Sequence, residues 1–182
     1  MMELFITVCL VCKTSLEKNN MYERNKKVKE KEEARLKELK KIDKDFFDRG
    51  IKYVAGIDEA GRGPVVVAAV IMKPDSMIEG INDSKKISEK KREKLYDLIL
   101  DEAISYGIGI VDQKEIDEIN ILQATKKGLT EAIKQMEIKP NVILVDALNN
   151  IDTLKIPYQS IIKGDAKSYA IAAASIIAKV TR

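Results

Sequence analysis

Two adjacent carboxylates, Asp58 and Glu59, run straight into a glycine-flanked arginine and a proline in the stretch Gly-Ile-Asp-Glu-Ala-Gly-Arg-Gly-Pro, residues 56–64. Carboxylate oxygens are hard ligands, which suit Mg2+ or Mn2+ better than zinc or copper. Gly61 and Gly63 let the backbone turn and approach a ligand closely, and Arg62 between them can set backbone N–H groups and a guanidinium against a phosphate or sugar. A third carboxylate, Asp146, ends the apolar run Val142-Ile143-Leu144-Val145. In open α/β sheets ligands sit at the carboxyl ends of strands, so the three acids can converge. Two divalent ions about 4 Å apart on such ligands can activate water and stabilise the leaving oxygen in phosphodiester hydrolysis. That route needs no imidazole, and the chain contains no histidine, which removes histidine as a general base or zinc ligand.

Each feature also has a plainer reading. Asp58 and Glu59 can be a turn acid beside a solvated acid, Gly-Arg-Gly-Pro a mere hairpin corner, and Asp146 a cap on the turn at 147–150. On an ideal strand neighbouring side chains point to opposite faces, so sharing an ion requires a strand end or a distortion at Asp58-Glu59. The run Asp83-Ser84-Lys85-Lys86 offers hydroxyl and ammonium donors that position phosphates without reading sequence, or else a solvated helix entry.

These residues need elements to hold them. Ile51–Asp58 and Val65–Met72 are β-rich runs around the Gly-Arg-Gly-Pro step and predict an antiparallel hairpin. Ser88 is a candidate N-cap for a helix with Leu95, Leu98, Ile99 and Ala103 on its apolar side. Ser105–Asp112 alternates as a third strand, and helical patterning runs from Lys114 to Met136 with an interruption near Asn120. Val142–Val145 is a strand of the kind covered on both faces, and Tyr158–Ile162 is a fifth. Gly164-Asp165 opens a final helix through Val180, whose alanines allow close packing. Upstream, Leu36, Leu39, Ile42 and Phe46 recur at helical spacing within the charged segment 22–49, predicting one helix with a narrow buried stripe, closed by Gly50.

Composition narrows the remainder. At 182 residues and 45% hydrophobic, the chain can bury one ordinary core, and a net charge of +3 does not by itself imply nucleic acid. Cys9 and Cys12 lack the two further ligands of a zinc site and read as small apolar thiols, with a redox pair as the alternative. Two cysteines offer no disulfide framework, so a reducing cytoplasm is the expected compartment. The apolar opening Leu4–Val11 is far short of the roughly 20 residues that cross a bilayer. It reads as a short strand or a loose terminal segment.

Taken together, Gly-Ile-Asp-Glu-Ala-Gly-Arg-Gly-Pro, Asp83-Ser84-Lys85-Lys86, Ile119-Asn120-Ile121-Leu122-Gln123-Ala124-Thr125, Val145-Asp146-Ala147 and the segment from Lys163-Gly164-Asp165 to Arg182 resemble ribonuclease HII, the type 2 ribonuclease H family. The resemblance covers Tyr53 to Arg182. It implies a ribonuclease H-like α/β fold, a mixed sheet of about five strands flanked by helices, with residues 51–182 as the catalytic domain and 1–50 as an N-terminal helical arm. It implies an endonuclease, acting as a monomer, that cuts RNA in RNA–DNA hybrids or at ribonucleotides embedded in duplex DNA, leaving 3′-hydroxyl and 5′-phosphate ends. Asp58, Glu59 and Asp146 would then be catalytic ligands of two Mg2+ or Mn2+ ions. Gly61, Arg62 and Gly63 would sense the 2′-hydroxyl, and Ser84, Lys85 and Asn120 would contact the nucleic-acid backbone.

The chain departs from the family pattern in two places. Pro64 leads directly into Val65-Val66-Val67 where the family usually continues Gly-Pro-Leu-Ala-Gly-Pro, so the loop beside the ribose sensor is shortened. By the resemblance, the fourth catalytic carboxylate would follow the Val-Thr-Arg segment and so lie past Arg182, together with C-terminal helices and a substrate-stacking tyrosine. That reading makes this chain an impaired enzyme, and a catalytically inactive nucleic-acid-binding remnant is its competitor.

Overall fold

The computed structural model describes the backbone from Met2 and side chains from Met21. The Cys9/Cys12 side chains therefore lie outside the described residues, whereas Leu4–Val11, expected as a short strand or a loose segment, falls within a helix that runs from Met2 to Leu39. The chain divides into two compact units, 1–35 and 36–182. The second begins at Leu36, ahead of the Ile51 boundary suggested by composition. Among the described residues no helix is long and apolar enough to cross a membrane.

Two helices stand where one was predicted over the charged segment. Helix α1 spans Met2–Leu39 and α2 spans Lys41–Asp48, with Lys40 at the break. The Lys40 ammonium donates to the carbonyls of Pro74 and Ser76 at 2.6 and 2.7 Å. The predicted stripe is buried at Leu36, Leu39 and Phe46, and Ile42 is partly covered. After α2 the Gly50 N–H donates to Phe47 O and the Ile51 N–H to Phe46 O, with Gly50 at φ +83°, which is a Schellman closure.

The core is a five-stranded mixed sheet in the order β3-β2-β1-β4-β5. Strand β1 is Val54–Ala60, β2 Val65–Met72, β3 Ala103–Val111, β4 Val142–Asp146 and β5 Tyr158–Ile161. The first three pair antiparallel, whereas β4 lies parallel to β1 and β5 parallel to β4. Helices α3 (Glu89–Glu102) and α6 (Tyr169–Thr181) cover one face, and α4 (Gln113–Ile119) and α5 (Ile121–Gln135) belong to the other.

Burial on both faces accounts for the uninterrupted apolar sequences of β2 and β4. Alternate residues of β1 and β2 serve the two cores. Ala60, Val66, Ala68 and Val70 join the core under α6, while Ile57, Val67, Ala69 and Ile71 join the core under α5. The predicted interruption near Asn120 is a real break, with Asn120 at φ +68° closing α4 and opening α5. The last helix starts later than its sequence suggests. Gly164–Ala166 is a separate 3-10 turn, and α6 begins at Tyr169 behind the N-cap Ser168.

Close approach places α6. A Cβ at Gly56 would overlap the backbone of Ala170 and Ile171, so β1 and α6 touch main chain to main chain. The fully buried alanines 172–174 continue that contact along the helix.

Candidate active site

The parallel ladder between β1 and β4 ends at Ile57–Val145, but β1 continues to Ala60, paired only with β2. A crevice therefore opens beside β1, just past the carboxyl end of β4. Asp58 and Glu59 lie on the stretch of β1 that borders it, and Asp146 is the last residue of β4. The carboxylates do not need the end of β1, as the sequence suggested. The end of β4 is what leaves them beside an open sheet edge.

Asp58 is buried and Glu59 is exposed. The Asp58 carboxylate accepts the Glu59 amide at 2.9 Å. Burial and the adjacent Glu59 charge push its pKa up to about 7. Glu59 is also raised, by crowding of protein around its carboxyl group and then by the negative charge of Asp146. Asp146 accepts the Gly164 N–H at 2.8 Å, which fixes the turn after β5 against the end of β4. It does not serve the 147–150 turn that was its plainer reading.

That turn brings in a carboxylate not singled out from the sequence. Asp165 is buried beside Asp83, feels the charges of Asp146 and Glu59, and has a raised pKa caused by burial and then by Asp83 and Asp146. Asp165 is thus a further acid beside Asp146. One signal was available. Asp165 follows a strand and a glycine, as a residue at a carboxyl strand end should, but Gly164-Asp165 was read as the start of a helix.

Positive charge is sparse. The Lys85 ammonium lies 3.8 Å from Asp165 Oδ2 on a largely exposed side chain. Desolvation lowers its pKa, but Asp165, Asp83, Asp58 and Asp146 together raise it further. Its neighbour Ser84 is 3% exposed, and its hydroxyl meets Ser175 Oγ at 2.7 Å. Asn120 holds α5, its side-chain oxygen accepting the Leu122 and Gln123 N–H groups at 3.1 Å. Between β1 and β2, Gly61 at φ +100° makes the turn that no side chain would favour, and Arg62 and Gly63 stand exposed beyond it. A Cβ at Gly63 would overlap the Gln113 side chain at the start of α4.

Four carboxylates and one lysine make an anionic pocket of hard oxygen donors. Among the described residues no three acids stand close enough to enclose one ion unaided. That geometry still suits Mg2+ or Mn2+, since Mg2+ typically keeps several waters and takes only one or two carboxylates directly.

A sequence model of ribonuclease HII matches residues 55–182. The chain is similar to the ribonuclease HII of Acetivibrio thermocellus, 55% identical over 88% of this chain and 64% of that one. It is also similar to that of a Geobacillus species, 52% identical over 87% of this chain and 58% of that one. The chain thus spans about three fifths of the length of these curated relatives. An alignment over 88% of the chain reaches ahead of Ile51 into the charged helical segment. Among solved structures, ribonuclease H2 from Pyrococcus horikoshii superimposes with a TM-score of 0.61 at 32% identity, covering 71% of this chain and 72% of that one.

Proposed function

The chain belongs to the ribonuclease HII family, and we propose that it is a divalent-metal-dependent endonuclease that cuts RNA within RNA–DNA hybrids or at ribonucleotides in duplex DNA, leaving 3′-hydroxyl and 5′-phosphate ends. The observation that carries this reading is the placement of Asp58 and Glu59 where β1 runs past the end of β4 at Asp146, with Asp165 close enough for these acids to feel one another's charge. In this reading these four side chains hold two hydrated Mg2+ or Mn2+ ions. Bound there, the ions supply an activated water and charge stabilisation for the leaving oxygen.

The protein's own groups do the rest. Asp58 is anchored by the Glu59 amide and Asp146 by the Gly164 N–H, so both carboxylates are oriented before any ligand arrives. Lys85 offsets part of the negative charge and contacts a backbone phosphate. Gly61, Arg62 and Gly63 form the exposed turn that meets the ribose, whose 2′-hydroxyl separates RNA from DNA. Asn120, with its carbonyl engaged in the cap, presents its amide N–H groups to the strand.

A second reading is nucleic-acid binding without turnover, favoured by the spacing of the carboxylates as they stand. Incubating the protein with a duplex DNA carrying one ribonucleotide and Mn2+ or Mg2+ separates the two. Metal-dependent nicking at the ribonucleotide supports the nuclease. Retention of the duplex without nicking in either metal refutes it.

A further inference from the structure

We infer that Asp43, on α2 ahead of the sheet, is a positioning residue for the Asp165 carboxylate, because it fastens the far end of the turn that carries that acid. This deepens the proposed function and rests on it for the role of Asp165.

Helix α2 is itself seated by packing. Phe46 is buried in one cluster with Val54 of β1, Val142 and Leu144 of β4, Ile161 of β5 and Ile171 of α6. One turn earlier, Asp43 is 3% exposed and uses both carboxylate oxygens. Oδ1 accepts the Ser168 hydroxyl and the Ala170 N–H, and Oδ2 accepts the Tyr169 N–H, each at 3.0 Å. Three consecutive residues are thereby bound to one side chain 125 to 127 residues earlier in the sequence.

Those three residues directly follow the turn that carries Asp165. Its near end is tied to β4, since the Gly164 N–H donates to Asp146 at 2.8 Å. It closes on itself through Gly164 O, which accepts the Lys167 and Ser168 N–H groups at 3.0 and 2.9 Å. Asp165, 5% exposed, stands between the two ends. The chain enters the turn through Lys163 at φ +57°, a left-handed conformation that such a residue keeps only where surrounding contacts over-determine it. Asp43 is the tie on the far side, and it reaches the turn by two links: its bond to Ser168 and the Ser168 N–H to Gly164 O.

A second strap starts at the N-cap of the same helix. Lys40 donates to the carbonyls of Pro74 and Ser76 and lies 5.2 Å over the Tyr169 ring. The Tyr169 hydroxyl meets Ser76 Oγ and accepts the Ile78 N–H, both at 2.9 Å. The loop so held leads on to Lys85, whose ammonium lies 3.8 Å from Asp165. Lys40 and Asp43 therefore fasten the two segments that meet at that ion pair.

The test uses the full chain and Mn2+ alone, read by the electron paramagnetic resonance of free ion, with amide hydrogen exchange and cleavage kinetics beside it. Side chains that orient metal ligands contribute about 10–100-fold to metal affinity. Asp43→Ala is expected to weaken Mn2+ binding about tenfold, at the low end because Asp43 acts through the turn rather than on the ligand itself. The Tyr169 and Ala170 amides should exchange faster, and kcat should fall with KM for the duplex unchanged. Asp43→Asn keeps one acceptor oxygen and should lose less of each. Leu129→Ala, in the core under α5, controls for stability alone, and should melt lower yet bind Mn2+ as the unmodified protein does. The inference is overturned if Asp43→Ala binds Mn2+ with unchanged affinity, or if Leu129→Ala loses as much. A raised KM with Mn2+ affinity intact would overturn it too, by making α2 a substrate contact. Should Asp43→Ala fail to fold, Asp43→Asn carries the same comparison. Absence of cleavage by the unmodified protein would sink the proposed nuclease while the Mn2+ titration still decides the role of Asp43, whereas absence of Mn2+ binding would overturn both.

Discussion

Asp43 offers a direct test of how the segment ahead of the sheet supports the site. It lies on α2, is 3% exposed, and caps the first turn of α6. Its Oδ1 accepts the Ser168 hydroxyl and the Ala170 N–H, and its Oδ2 accepts the Tyr169 N–H, all at 3.0 Å. Ser168 is a second cap, accepting the Ile171 N–H, so Asp43→Ala removes part of the capping and leaves the helix in place. Loss of a cap costs up to about 2 kcal/mol, and one newly unsatisfied buried donor about 1–3 kcal/mol. Relief of a buried charge subtracts from their sum, so the expected loss is about 2–4 kcal/mol. The pH dependence gives the sharper check. Burial raises the Asp43 pKa despite three donated hydrogen bonds. The native state then holds that proton more tightly than the unfolded chain, so the carboxyl group's contribution is complete below the unfolded pKa and is lost as pH rises through the folded one. Urea unfolding of both proteins from pH 4 to pH 8 should show the gap narrowing as pH rises. A gap that widens would mean the helix N-terminus and its N–H groups outweigh burial, and the reasoning fails.

Three further outcomes follow from the same geometry. Gly56→Val should prevent native packing, since even a Cβ there overlaps the Ala170 backbone, and circular dichroism should report loss of the cooperative melt; a protein that still melts cooperatively within a few degrees of the original would show that α6 can lift off β1 at little cost. Asp165→Asn should lower metal-dependent cleavage by about 100-fold or more, on the scale of losing a group that acts in the transition state, yet raise the metal-free melting temperature by relieving repulsion from Asp83 and Asp146. Without metal, the Asp58 pKa near 7 predicts a melting temperature that falls between pH 5 and pH 8 as that buried group ionises, with a flatter profile in Asp58→Asn; equal slopes in the two proteins would remove Asp58 as the cause.

The legible parts of the chain are those where one local rule decides. Strands β2 and β4 announced themselves as continuous apolar runs because both of their faces are covered. The interruption at Asn120 was visible because helical patterning stops and restarts around a capping residue. The Asp58-Glu59 and Asp146 acids were legible from their place beside apolar strands. Distance in sequence hid the rest. Whether Ser84 faces water or protein is decided by a helix 91 residues away, so a polar loop residue read naturally as a substrate contact. Asp165 was masked by the helix signal that follows it, and only the Gly164–Asp146 hydrogen bond shows the turn folded back onto the end of β4.

The site and the scaffold pull in opposite directions, and α6 is where they are reconciled. Burial, and then the charge of neighbouring acids, raises the pKa of Asp58, Glu59 and Asp165, which is a cost to the folded state. A scaffold with loose packing would relieve it by letting the acids spread. Here α6 cannot shift, because it meets β1 main chain to main chain at Gly56 and its N-terminus is held by both Asp43 and Ser168. The helix that packs its alanines against β1 therefore also keeps the carboxylates crowded, and a bound divalent cation stabilises the fold by neutralising what the packing enforces. It follows that substitutions loosening α6 should weaken metal binding before they abolish folding, whereas substitutions neutralising a carboxylate should strengthen the metal-free fold while removing activity. Melts of both classes with and without Mn2+ would display that opposition directly, and a common direction of change in the two would break the link between helix placement and charge.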